Sequence, residues 1–86
     1  MTTDATPDDV RTDVRRLLER LAGSRRFRDD EDVFERGVVR SMNLLEVIGH
    51  LEDTYAMRVD QRDVYDGHLR SVDRIVALVT SRGGGR

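Results

Sequence analysis

Apolar residues recur at helical spacing in three stretches of this chain. Val10, Val14, Leu17, Leu18 and Leu21 fall on one face of an amphipathic helix, with Arg11, Arg15, Arg16 and Glu19 on the other. That helix opens on Thr6 as N-cap, places Pro7 at its first position, and sets Asp9 where its carboxylate can return the capping hydrogen bond. Asp8 and Asp9 also suit the positive end of the helix dipole, and Gly23 is the expected stop. A second helix is predicted over about Met42 to Tyr55, where Leu44, Ile48, Leu51 and Tyr55 define a buried stripe flanked by Leu45 and Val47. Its opposite face collects Met42, Glu46, Gly49, His50 and Asp53, and is expected to be exposed, with an apolar knob beside acidic groups. The last helix starts at Ser71 as N-cap and buries Val72, Ile75, Val76 and Val79, with Asp73 in its first turn, Arg74 facing out and Leu69 stapling the start.

Between these helices the pattern breaks. Residues 24–40 are rich in Arg and Asp and read as a long loop, with a possible turn near Asp29 to Phe34, anchors at Phe34 and Val38, and a positive-φ turn at Gly37. Ala56 to Val59 reads as an extended link, and Asp60 to Asp66 as a short helix ended by Gly67. From Ser81 onward, three consecutive glycines predict disorder. The expected architecture is all-α: a small four-helix bundle with three main helices, one short third helix and a long first loop, folded over 7–80 with flexible tails at 1–6 and 81–86.

Composition narrows the function. Eighty-six residues that are 37% hydrophobic, without Trp, make one domain with a thin aliphatic core and no room for a deep catalytic pocket. A net charge of −2 without a long block of like charge disfavours nucleic acid, and the lack of a basic amphipathic helix disfavours a membrane surface. All fifteen basic residues are Arg, which excludes Schiff-base and phosphate-loop lysines; the absence of Cys excludes disulfides, thiolate catalysis and cysteine metal sites. Any thiol chemistry here needs an imported thiol. The polar, acidic start lacks a signal-peptide pattern and no run has the length of a membrane span, so a cytoplasmic, monomeric protein is expected.

Ser41 stands at the head of the second helix, after the long loop and before the outward-facing Met42. A serine in this position is an ordinary helix cap. The same position also offers unpaired backbone N–H groups and a partial positive charge, a favourable field for an anionic linkage on the hydroxyl. No His, Lys or carboxylate is placed by sequence to make Ser41 a nucleophile by itself, so derivatisation would require a modifying enzyme.

Phe34, Gly37, Val38, Val39, Arg40, Ser41 and Met42 together resemble the attachment sequence of acyl carrier and peptidyl carrier proteins. The resemblance runs from roughly Val10 to Val79: Phe34 and Gly37 look like the family's Phe and Gly, Ser41 its modified serine and Met42 its Leu or Met. Glu46, Leu51, Glu52 and Tyr55 look like its second helix, and Leu69, Ser71, Val72 and Ile75 like the start of its last. It implies a four-helix carrier, not an enzyme, that bears covalent 4'-phosphopantetheine on Ser41 and shuttles an acyl or aminoacyl thioester. The implied partners are a phosphopantetheinyl transferase, an adenylating enzyme or acyltransferase that loads the arm, and a downstream synthase. Both ends being polar suggests a discrete, free-standing carrier, and a charge of only −2 suggests a specialised polyketide or nonribosomal peptide pathway rather than primary fatty-acid synthesis.

One departure from the family bears directly on the attachment point, and two further positions also differ. Asp, or sometimes Asn, usually precedes the serine, whereas this chain has Arg40, which reverses the local charge; Asn43 and His50 stand where acidic residues are frequent. The recognition face is expected to comprise Met42, Glu46, Gly49 and Asp53, with Arg40 and His50 tuning partner choice. Glu46 and His50 lie four residues apart on one face and read as a solvated pair rather than half of a metal site or an acid–base couple. The rival reading is a non-catalytic helical interaction module whose docking patch includes Met42, Glu46 and Gly49, with Ser41 only a cap.

Overall fold

A computed structural model describes residues 6–82; the remainder of the predicted tails, 1–5 and 83–86, lies outside the described residues. Helix α1 spans Pro7–Ala22, and both halves of its capping box form: the Thr6 hydroxyl accepts the Asp9 N–H at 3.1 Å, while the Thr6 N–H donates to the Asp9 carboxylate at 3.2 Å. It ends on Gly23 at φ 70°. Helix α2 spans Leu44–Tyr55, α3 spans Gln61–Tyr65 and α4 spans Val72–Ser81, started by the Ser71 hydroxyl accepting the Arg74 N–H at 3.1 Å. Among the described residues there is no strand, and no helix is long and apolar enough to cross a membrane. The fold is a small all-α bundle of three longer helices and one short one.

Helices α1 and α4 pack against each other more extensively than any other helix pair. Val10, Val14, Leu17 and Leu18 meet the core from α1; Val72, Ile75, Val76, Leu78 and Val79 meet it from α4. The predicted last-helix core therefore gains Leu78. The expected tail boundary moves too: Ser81 closes α4, and Arg82 donates to the Arg58 carbonyl at 2.8 Å and to the Asp63 carboxylate, so the fold extends to Arg82.

The long loop contributes more to the core than its sequence suggests. Phe27, Val33, Val38 and Val39 are buried, whereas the expected anchor Phe34 is only half-buried. Val33 is the centre: its N–H donates to the Arg70 carbonyl at 2.9 Å, and its own carbonyl accepts the N–H groups of Val38 and Val39 at 2.9 and 3.0 Å. Polar backbone that enters the core with these valines is thereby satisfied. Nearby, the Asp29 carboxylate joins Arg11 at 2.9 Å and Arg15 at 2.7 Å, while its backbone carbonyl accepts the Asp73 N–H at 3.0 Å. Arg15 also lies over the Phe27 ring, 4.3 Å from its centroid.

At the far end, Asp60 caps α3 and exchanges hydrogen bonds with Asp63, each at 3.0 Å. Asp63 is 3% exposed. Burial pushes its carboxyl up, but the Arg82 guanidinium and the hydrogen bonds with Asp60 outweigh burial and hold it below the ordinary aspartate value of 3.8.

Two variants test this account. Val33→Ala removes buried methyl groups from the loop's centre and lowers unfolding free energy by about 2 kcal/mol in denaturant titration, more than an exposed loop substitution such as Glu35→Ala. Because the folded Asp63 carboxyl sits below its unfolded value, its stabilisation is present above that value and lost as pH falls through the folded one. Asp63→Asn therefore lowers stability at neutral pH and flattens the decline measured as pH falls below the ordinary aspartate value of 3.8.

Candidate functional site

Ser41 opens a 3-10 turn, Ser41–Asn43, that runs directly into α2. Arg40 holds the position before the turn and Asn43 the position before α2, and neither makes a side-chain cap. The capping role expected of Ser41 is thus not taken up. The chain starts helical one residue early, so Ser41 lies inside the 3-10 turn instead of at a cap position, and the residue is exposed. The loop brings it there through Gly37 at φ 71° and the buried pair Val38 and Val39.

Beside Ser41 is a cavity of about 200 Å³ lined by Phe34, Leu44, Val64, Leu69 and Arg70. The partial burial of Phe34, Leu44 and Val64 is therefore accounted for: they pack against the core and also line a hollow. A larger hollow, of about 750 Å³, lies away from Ser41 around Arg15, Phe27, Arg28 and Arg36. It is a basin among guanidinium groups, of which Arg15, Arg28 and Arg36 pair with Asp29, Asp30 and Glu31 and Arg25 donates to the Gly37 carbonyl, and no lining residue carries a hydroxyl to derivatise.

The face of α2 differs from expectation by a partial rotation. Val47, Leu51 and Tyr55 are the buried positions; Leu44 and Ile48 are half-buried, and Leu45, expected to flank the core, is 79% exposed. The apolar arc of this helix is wide, and it is Val47, with Leu51 and Tyr55, rather than Leu44 that is fully turned into the interior. Met42 is 73% exposed, so Met42 and Leu45 form an apolar pair next to Ser41, and Leu45 is a surface residue that periodicity had assigned to the core boundary.

Glu46 and Asp53 are exposed, as expected, although Glu46 bonds Arg20 of α1 at 3.2 Å. Gly49 is half-buried, yet a Cβ there would meet nothing within 4 Å. No packing reason therefore requires a glycine, and the position is a bare spot on the helix surface. His50 does not lie on a free outer face. It is half-buried, and its Nε2 is 2.7 Å from the Asp13 carboxylate, which also accepts the Tyr55 hydroxyl at 2.6 Å. Burial first, and the hydrogen bond and charge of Asp13 second, raise the Tyr55 phenol far above its ordinary value of 10. Thus Glu46 and His50, four residues apart, turn to different partners on α1 and form no joint site. Among the described residues no group of three or more His, Cys, Asp or Glu side chains could hold a metal ion.

Arg40, next to Ser41 in the chain, is exposed, and Arg70 lies in the cavity wall. The nearest acidic group in the wall's network, Asp32, is committed: it accepts the N–H groups of Phe34 at 3.1 Å and Glu35 at 2.9 Å, and it pairs with Arg70. Burial pushes the Asp32 carboxyl up, but Arg70 and these N–H groups bring it below the usual carboxylate range.

No protein-family model matches this chain, and neither the curated proteins nor the solved structures contain a match.

If Gly49 is free of packing duties, Gly49→Ala raises unfolding free energy by about 0.5–1 kcal/mol, read by chemical denaturation, through the better helix propensity of alanine. A destabilised variant would mean that the glycine has a packing partner.

Proposed function

We propose that this protein is a carrier that holds an acyl or aminoacyl group as a thioester on a phosphopantetheine arm attached to Ser41. The observation that supports it best is the exposed Ser41 hydroxyl, free of capping duty, at the head of α2 beside a mostly apolar cavity. The resemblance of residues 34–42 to the carrier attachment sequence points the same way. Attachment is a group transfer inside a phosphopantetheinyl transferase. Ser41 Oγ bonds to the pantetheine-bearing phosphorus of coenzyme A as the bridging P–O bond breaks; the hydroxyl proton passes to the transferase and the adenosine bisphosphate leaves. A phosphodiester remains on the serine, near the N–H groups of a helix start that have no intrahelical acceptor. The arm supplies the thiol that this Cys-free chain lacks.

The chain's own part is presentation. Met42 and Leu45 offer an apolar contact next to the arm, Gly49 leaves room for a close approach, and Glu46 and Asp53 add charge along the same helix. His50 acts indirectly, since its bond with Asp13 helps seat α2 on α1. Arg40 gives the attachment point the opposite sign to that usual in the family, which suits a dedicated transferase or loading enzyme with a complementary acidic surface. The cargo reading is a specialised polyketide or nonribosomal peptide intermediate.

The decisive measurement is intact mass after incubation with coenzyme A and a broad-specificity phosphopantetheinyl transferase. A gain of one phosphopantetheine that is absent in Ser41→Ala is expected; a chain left unmodified by every transferase tried supports the interaction module instead. Arg40→Asp restores the usual charge and is expected to raise the modification rate with a general transferase by about tenfold, equivalent to about 1.4 kcal/mol of transition-state binding. An equal or slower rate would overturn the charge argument.

A further inference from the structure

The cavity beside Ser41 pairs that hydroxyl with one cation, Arg70, among otherwise apolar walls. Arg70 is fixed from several directions. Its backbone carbonyl accepts the Val33 N–H at 2.9 Å, its Nε donates to the Asp32 carboxylate, and its guanidinium lies 6.0 Å from the centroid of the Phe34 ring. The bond to Asp32 runs through Nε and leaves the terminal nitrogens for another acceptor. A guanidinium held through Nε by a carboxylate, on a residue that lines a small cavity, keeps its terminal N–H groups for an anion, because its planar fork matches the paired oxygens of a phosphate. Arg40, exposed and next to Ser41 in the chain, adds a second positive charge nearby.

We infer that Arg70 is the seat for the phosphate of an ester carried on Ser41, its terminal N–H groups donating to the non-bridging oxygens. This rests on Ser41 being derivatised as proposed above and adds a residue that governs how the arm leaves the surface. Arg70 is a positioning residue: with the phosphate pinned, the arm starts from a fixed direction over the walls formed by Phe34, Leu44 and Leu69.

The test uses the full chain, labelled with ¹⁵N, in two esterified forms. In the first, the transferase and coenzyme A attach the arm; the Arg70 Nε–Hε signal is expected to move on attachment, and the ³¹P signal to differ between the wild-type chain and Arg70→Gln. In the second, phosphoserine is encoded at position 41. Its second ionisation, ordinarily near about 6, is expected to be at least about threefold more acidic in the wild-type background than with Arg70→Gln. A response in either form supports the seat, and the form that responds identifies the ester that it holds. If the transferase attaches nothing but the phosphoserine couples to Arg70, the carrier reading falls and the seat stands. If the arm attaches while the Arg70 signal stays in place and the phosphoserine titrates alike in both backgrounds, the seat is overturned and the carrier reading stands. Should Arg70→Gln fail to fold once Asp32 loses its partner, the wild-type Arg70 signal decides alone: movement on either esterification supports the seat, and a static signal overturns it.

Discussion

The fold depends on Val33. This residue lies in a loop outside any helix, yet it is fully buried, and its backbone is satisfied on both sides: its N–H by Arg70, its carbonyl by Val38 and Val39. A buried, unpaired peptide group costs about 1–3 kcal/mol, so a loop this long can contribute core residues only if such a knot closes it. The knot also fixes direction. It ties the loop to the residue before the Ser71 cap of α4 and sends the chain through Val38 and Val39 toward Ser41. Helix α2 is seated on the core through Val47, Leu51 and Tyr55 and on α1 through the bonds of His50 and Tyr55 to Asp13, while the loop leads into its start. The candidate attachment point and the wall of its cavity share one support.

Charge acts on register rather than on bulk stability. The chain spends guanidinium groups on joints between elements: Arg11 links α1 to Asp29 and Asp73, Arg15 links α1 to the loop, Arg70 grips Asp32 and Arg82 closes α3 against the end of α4. Most of these pairs are partly exposed, and such pairs are worth about 0–1 kcal/mol each. Their directional, forked hydrogen bonds fix which carbonyls and carboxylates meet. Asp63 is the exception, because its carboxylate is buried and must keep its partners.

The parts of the fold written in local chemistry were legible in the sequence. Thr6, Pro7 and Asp9 announce α1 within one turn, and Ser71 announces α4, because a cap is a contact between neighbours three residues apart. The short α3 and the stop at Gly67 follow the same logic. Long-range choices were not legible. Leu44, Leu45, Val47, Ile48 and Leu51 cover so wide an arc that periodicity alone cannot say which of them faces inward; tertiary packing decides, burying Val47 and exposing Leu45. Val33 and Val39 carry no periodic signal, and the contact between His50 and Asp13 joins residues 37 apart in the chain. At the candidate site, the prominence of Ser41 and Met42 could be read from the sequence, but the cavity and Arg70 could not, since its walls come from the loop, α2, α3 and the segment before α4.

The chain has no tryptophan and only two tyrosines, which inhabit opposite surroundings. Tyr55 is enclosed with its hydroxyl against a carboxylate, whereas Tyr65, on α3, is 94% exposed. Intrinsic fluorescence consequently has two addresses: an emitter quenched by its acidic neighbour at the junction of α1 and α2, and a solvent-bathed emitter on the outer surface. Single Phe replacements would separate them, giving an optical probe of the interior and another of whatever approaches α3, without any added dye.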